Sequence, residues 1–208
     1  MYDKKRALAA LAGVGAALLI LAAPANAGVL VKDAKNCSAD GPSRQVFKPW
    51  LDVAQYVPAP GGYAESATGW NLRAGAKVVA GNEPWKVGGA GHQKSLQLPA
   101  GSSATTDVMC VGLAHPTLRF FAKRTSGTLL NTLLVEVEFE ALGGLLKRLP
   151  IGVVLNGGSW QPTLPSLVIA NLLPLLPGAR TPVRFTFTPL GRAAWQIDDV
   201  YVDPWARR

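Results

Sequence analysis

Past residue 60 the chain alternates short apolar–polar segments with clusters of Gly, Pro, Asn and Ser, which predicts packed sheets rather than helices alternating with strands. The clearest segment is Leu134 to Glu140, where Val135, Val137 and Phe139 alternate with Glu136, Glu138 and Glu140. As a strand it buries one face and presents three carboxylates on the other; as a helix it would scatter both sets around its circumference. Val183, Phe185 and Phe187 alternate with Arg184, Thr186 and Thr188 in the same way, and their β-branched and aromatic content favours strand. Leu118 to Ala122 and Ala76 to Ala80 are further strands, and Gly143-Gly144 supplies a hairpin turn between Phe139 and Leu149.

Two segments depart from simple alternation. In Trp195 to Val202, Trp195 and Ile197 share one parity and Val200 and Val202 the other. Burying all four requires one extra residue at Asp198 or Asp199, a β-bulge. The apolar stretch Leu164 to Leu176 is too short to span a bilayer and is interrupted by Pro165 and Pro174. It predicts a buried strand near Leu167 to Ala170 followed by an apolar loop, with an exposed partner patch at Leu172 to Leu176 as the alternative.

The first residues follow another pattern: Lys4, Lys5 and Arg6, an uncharged run from Ala7 to Ala23, then Pro24 and Ala25-Asn26-Ala27. That is the layout of a secretory signal, with a helix inside residues 1–27 and cleavage after Ala27; an uncleaved anchor is the alternative, and the one way in which a membrane enters the expectation. Either places the domain outside the cytoplasm, secreted or at the cell surface. The remainder divides into an irregular lead, 28–60, and a β domain, 61–205, expected to be a monomer. Cys37 in the lead and Cys110 are the only cysteines, and in an oxidising compartment they most simply pair. Such a bridge closes a loop of about seventy residues and contributes about 4 kcal/mol on the chain-entropy model.

The 208 residues carry 21 Lys and Arg against 13 Asp and Glu, a net charge of +8; losing residues 1–27 removes three cations and Asp3 and leaves +6. The cations are scattered, without a basic helix or an arginine-rich run, which argues against nucleic acid and favours an anionic cell-wall polymer. Two histidines, His92 and His115, read as loop or strand-edge residues, and none of the common nucleophile, zinc or phosphate-loop spacings occurs. Glu136 and Glu138, two apart on a strand, have the spacing of a glycoside-hydrolase pair, but nothing else supports hydrolysis, and a solvated face or ion pairs with Arg119 or Arg184 explain the same residues.

Aromatics change the picture more. Sugar binders stack C–H-rich pyranose faces on indole or phenol rings and meet the hydroxyl rim with charged or amide groups. Trp70 and Trp195 sit at core parity beside strands, whereas Trp85 follows Asn82-Glu83-Pro84 and Trp160 follows Gly157-Gly158-Ser159. The last two are candidates for exposure, with core packing as the alternative.

At this point two stretches carry a resemblance. Gly61 to Trp70, reading GGYAESATGW, and Trp195 to Val202, reading WQIDDVYV, resemble the opening and closing strands of jelly-roll, galactose-binding-like carbohydrate-binding modules. The lead to Cys37, Met109-Cys110-Val111-Gly112 and Ser159-Trp160-Gln161-Pro162 are similar to small exported bacterial proteins of no known activity. The resemblance implies two antiparallel sheets packed face to face as a jelly roll, a glycan groove on the concave sheet and a structural calcium. Glu65, Asp198 and Asp199 are the residues it implies for calcium, although Ala64 stands where the family has its acidic residue and Glu65 comes one place late. Hydrogen bonds from backbone or arginine to Asp198 and Asp199 are the alternative. The reading that results is a secreted, non-catalytic module for a glycan or envelope polymer, using Arg119, Phe121, Glu136, Glu138, Arg184 and Thr186 as one face, with Trp85 or Trp160 at its rim. An envelope protein that binds a protein partner through its apolar loop, and a hidden glycoside hydrolase, are the alternatives.

Overall fold

The alternation around Val137 builds strand β8 (Leu133–Glu140) in a computed structural model that describes residues 30, 42–112, 116–128, 130–141, 144–155, 157–168 and 180–203. Residues 1–27, Cys37, Gly143, His115, Leu172 to Leu176 and Trp205 lie outside the described residues. One sheet runs in the order β2 (Trp70–Arg73), β5 (Ser103–Thr106), β12 (Thr181–Pro189), β8, β9 (Leu146–Val154), with β6 (Met109–Val111) also paired to β12. The other runs β10 (Gln161–Pro162), β7 (Thr117–Arg124), β13 (Trp195–Asp203), β4 (Lys94–Leu98), β3 (Lys77–Ala80); β1 (Val57–Pro58) pairs with β13 and β11 (Ser166–Leu167) with β7. We call the sheet containing β13 the first sheet and the sheet containing β8 the second.

Every strand pairing among the described residues is antiparallel, and successive strands change layer at β1 to β2, β2 to β3, β4 to β5, β6 to β7, β7 to β8, β9 to β10, β11 to β12 and β12 to β13, the winding of a jelly-roll β-sandwich. Leu118, Phe120 and Ala122 of β7 and Ile197 of β13 meet Val135 and Val137 of β8 and Phe185 and Phe187 of β12 in one apolar layer, all without solvent exposure. Phe120 meets Phe187 edge to face at 5.1 Å. Each such side chain stabilises the fold by about 1.5–3 kcal/mol relative to exposure, and this term holds the two sheets together. The alternating segments predicted this layer because their period of two presents one face to a single partner sheet.

The phase break in β13 is a bulge. Asp198 pairs with Phe121 and Tyr201 with Arg119, so β13 spends one more residue than β7 over the same distance. Asp199 absorbs it with φ 48°, and Trp195, Ile197, Val200 and Val202 are all buried. The β8–β9 hairpin also forms, with Gly144 at φ 74° in its turn.

Two expectations need correction. Of the strand expected near Leu167 to Ala170, Ile169 and Ala170 lie outside the described residues; β11 is Ser166–Leu167, with Leu167 exposed and Val168 buried, its N–H donating to the Pro116 carbonyl at 2.8 Å. The lead, expected to be irregular, joins the first sheet through β1: Val57 pairs with Val202 and Pro58 with Tyr201, before residue 61 is reached. Its cause is long-range, since the strand has no alternation of its own and exists only because β13 offers an edge.

Candidate functional site

On the side of β7 away from the core stand Arg119 and Phe121, and beside them Tyr201 of β13. This outer face is apolar, so it requires a cover. The lead supplies it: Phe47 stacks on Phe121 at 5.5 Å and 28° and meets Tyr56 and Tyr201 edge-on at 5.0 and 5.9 Å. Phe47, Tyr56, Phe121 and Tyr201 form a second core, outside the sandwich. Locally the lead turns through a short 3-10 helix, Lys48–Trp50, in which Pro49 presets the backbone; the turn closes with the Leu51 N–H donating to the Lys48 carbonyl at 3.0 Å.

An ion pair fastens the lead. Arg119 Nη1 donates to Asp52 Oδ2 at 2.6 Å, its Nε to the Thr163 carbonyl at 2.7 Å, and its guanidinium carbon lies 4.5 Å from the Phe47 ring centre. The Tyr56 hydroxyl and the Ala54 N–H also donate to Asp52, at 2.8 and 3.1 Å. Burial works to raise the Asp52 pKa, but the bonds from Tyr56, Ala54 and Arg119, with the Arg119 charge, together hold it below the usual value. Burial pushes the Tyr56 phenol well up, so it stays a donor.

Beside this latch lies a cleft of about 740 Å³ walled by Trp50, Leu51, Val53, Leu164 and Pro165, with Gln45, Asp52, Gln55 and Arg119 as its polar groups. Trp50 is half-buried and meets Trp85 at 5.1 Å and Phe121 at 5.2 Å, both edge to face. Trp85 is 44% exposed but is not among the residues that line the cleft. Trp160 is half-buried with Lys123 Nζ 4.8 Å from its ring centre. The arrangement offers an indole wall to an apolar ring face and fixed donors and acceptors to a polar rim.

The expected single binding face is divided. Arg119 and Phe121 point out of the first sheet, whereas Glu136, Glu138, Arg184 and Thr186 point out of the second, on the opposite side of the sandwich. Parity tells which residues share a strand face but not which sheet the strand joins. On the second sheet, Glu138 takes Arg148 at 3.0 Å and a closer Arg184. Thr186 and Thr105 hydroxyls lie 2.9 Å apart across β12 and β5. Glu138 is thus held between two guanidinium groups, as the ion-pair alternative expected for Arg184. Cys110 is buried on β6, and no cysteine among the described residues is free, while Cys37 lies outside them.

The residues implied for calcium are arranged as follows. Asp198 and Asp199 are fully buried, joined by Glu83, which the sequence did not single out. Glu83 receives the N–H groups of Trp85 and Val87, each at 2.6 Å, while its own N–H donates to Asp198 Oδ2 at 2.9 Å. Asp199 Oδ2 accepts from the Gly88 N–H at 3.2 Å, and Glu65 Oε1 is turned away to the N–H groups of Gln93 and Lys94 at 2.8 and 2.9 Å. Asp199 Oδ1 lacks a partner, yet among the described residues no three His, Cys, Asp or Glu groups converge to hold a metal. The bonds that Glu65, Asp198 and Asp199 accept from backbone N–H groups are those of the backbone alternative to a calcium site. Burial pushes Asp198 up to about 8, with the Glu83 and Glu65 charges adding to it against the backbone bonds, and burial and the Asp198 charge push Asp199 up as well. His92 is a loop residue, as expected, but its ring lies 4.7 Å from that of Tyr63, and Gly88 is wedged between His92 and Asp199 where a Cβ would collide with both.

Trp50, Asp52, Gln45 and Gln55 were missed because the lead has no periodicity; the one local signal is Lys48-Pro49-Trp50-Leu51-Asp52, an aromatic and a carboxylate in a Pro-initiated turn.

No family model and no curated relative matches the chain. Among solved structures, the xylan-binding family 22 module from Paenibacillus barcinonensis is similar at 16% identity and TM-score 0.46, covering 68% of this chain and 90% of that one. A family 61 carbohydrate-binding module in complex with β-1,4-galactotriose is similar at 14% identity and TM-score 0.38, covering 69% and 93%. The enzymatically active domain of the bacteriophage CBA120 tailspike protein 4 is similar at 20% identity and TM-score 0.42, but this chain covers only 20% of it against 69% of its own length.

Proposed function

We propose that the protein is an exported, non-catalytic glycan-binding module whose ligand is an envelope or cell-wall polymer, held in the cleft beside the lead. The observation that carries the reading is the pairing of the Trp50 wall with Gln45, Gln55 and the Arg119–Asp52 pair in one cleft. A pyranose places its C–H face on the indole, and its hydroxyls meet the amides and the two charged groups. Because Arg119 and Asp52 already neutralise each other and are fixed by Tyr56 and Thr163, they serve as preorganised hydrogen-bonding groups, which lowers the ordering cost of binding. Export by the N-terminal signal and a Cys37–Cys110 bridge belong to the same proposal, since a bridge would tie the lead to the second sheet while Asp52 ties it to the first.

The test is retention of the full chain on a panel of insoluble polysaccharides and isolated cell wall, alongside Trp50→Ala. Retention on one polymer that weakens about tenfold or more in Trp50→Ala supports the reading, in line with a buried aromatic anchor. Retention on none, or retention indifferent to Trp50, sinks it.

A further inference from the structure

Three of the apolar side chains that wall the cleft stand far out into solvent. Leu51 is 95% exposed, Leu164 84% and Val53 65%, and all three border the same opening. Leu51 occupies left-handed backbone, φ 62°, as the last residue of the turn, a conformation a leucine adopts only where the surrounding structure enforces it. Single exposed leucines are ordinary, but several around one opening mark a contact surface.

What covers the rim follows from the charge beside it. A second groove, of about 530 Å³, is lined by Arg44, Gln45, Val46, Lys48, Pro49 and Val87, with no acidic residue in the lining. Gln45 lines both openings, so groove and cleft adjoin. Arg44 and Lys48 are exposed, and among the described residues neither has a carboxylate at ion-pair distance. The one acidic residue in residues 42–58, Asp52, is taken by Arg119. Cores of protein–protein interfaces are depleted in lysine, whereas surfaces that lie on anionic bilayers combine exposed leucine with lysine and arginine.

We propose that this end of the molecule docks on an anionic lipid surface. Leu51, Val53 and Leu164 enter the boundary between headgroups and acyl chains, and Arg44 and Lys48 face the lipid phosphates. Among the described residues no helix is long and apolar enough to cross a membrane, and the contact proposed for this rim is a peripheral one. It goes beyond the glycan reading and does not depend on it.

The experiment is sedimentation of the full chain with sugar-free vesicles of phosphatidylglycerol in phosphatidylcholine, and of phosphatidylcholine alone. Residues 1–27 are identical in every variant, so differences between variants report on the rim. The triple variant Leu51→Ser, Val53→Ser, Leu164→Ser is expected to partition about tenfold or more weakly, since each leucine withdraws apolar area from the bilayer. Arg44→Glu and Lys48→Glu should each cost about fivefold on anionic vesicles, with the loss shrinking as salt is added. Amides of residues 51–53 should exchange more slowly with vesicles present. Equal partitioning of the serine variant, or equal partitioning on both vesicle types, overturns the proposal, as does a change of oligomeric state that the serine variant abolishes without lipid. Because the vesicles carry no sugar, failure here leaves the polysaccharide test intact, and the reverse also holds.

Discussion

Replacing Arg119 by methionine keeps most of the apolar stem and removes the guanidinium that fastens the lead to the first sheet. Arg119 is 5% exposed and the Asp52 side chain 16%, so the pair is shielded but not dry. Removing one partner of a buried pair costs about 3–5 kcal/mol. The residual solvation of Asp52, and its bonds from Tyr56 and Ala54, place the expected loss near the lower end, at about 3 kcal/mol. Asp52→Asn keeps the shape and should cost about 2 kcal/mol, and a double-mutant cycle should give a coupling of about 2 kcal/mol. Urea unfolding at pH 7, where Asp52 is fully ionised, measures all four species. Hydrogen exchange should place the loss in residues 44–58, opening before the sandwich. A coupling under about 0.5 kcal/mol, the range of solvent-exposed pairs, would refute the latch.

Other expectations follow from the remaining buried polar groups and from the core. Asp198 has its folded pKa raised to about 8, so its contribution is fully present below the unfolded value near 3.8 and is lost as pH rises through about 8. Melting temperature measured from pH 4 to 8 should therefore fall less in Asp198→Asn than in the wild type; parallel curves would contradict the assignment. Asp52 has the opposite sign: its pKa is lowered, so its stabilisation is present above 3.8 and lost as pH falls through the folded value, and Asp52→Asn should flatten the acid limb. Because the carboxylates are occupied by backbone N–H groups, calcium or a chelator should leave the melting temperature unchanged, and a rise with calcium would reverse the conclusion drawn from their geometry. Gly88→Ala should cost about 2 kcal/mol in denaturant unfolding, since its Cβ has no room between Asp199 and His92, and Phe187→Ala about 3–5 kcal/mol, since it leaves a cavity against Phe120 and Trp70.

How far sequence reached is visible in individual residues. Val135, Val137, Phe139, Val183, Phe185 and Phe187 were legible as a buried face because a strand's period of two writes burial directly into the order of residues. The β13 bulge was legible for the same reason: four apolar residues in conflicting phase can all be buried only if one residue is looped out, and Asp199 does so. A sandwich of packed sheets followed from several such strands separated by turn residues, and its jelly-roll winding from the resemblance that Gly61 to Trp70 and Trp195 to Val202 carry. Two misplaced features have one physical origin. Arg119 and Glu138 both have outward parity, but parity is defined within a strand, and assignment of β7 and β8 to opposite sheets comes from hydrogen bonding between segments far apart in the chain.

The cleft lay wholly beyond local pattern. Phe47, Trp50 and Tyr56 carry no periodicity, and β1 exists because β13 presents an edge to it. Glu83, in the connection between β3 and β4, and Asp198 of β13 are 115 residues apart and meet only once β4 has paired with β13. The sequence by itself determined which residues hide from water within each strand, because that depends on neighbours one and two places away. Only the tertiary structure decided which hidden and exposed faces meet, because Coulomb and dispersion forces act over a few ångströms of space, whatever the separation along the chain.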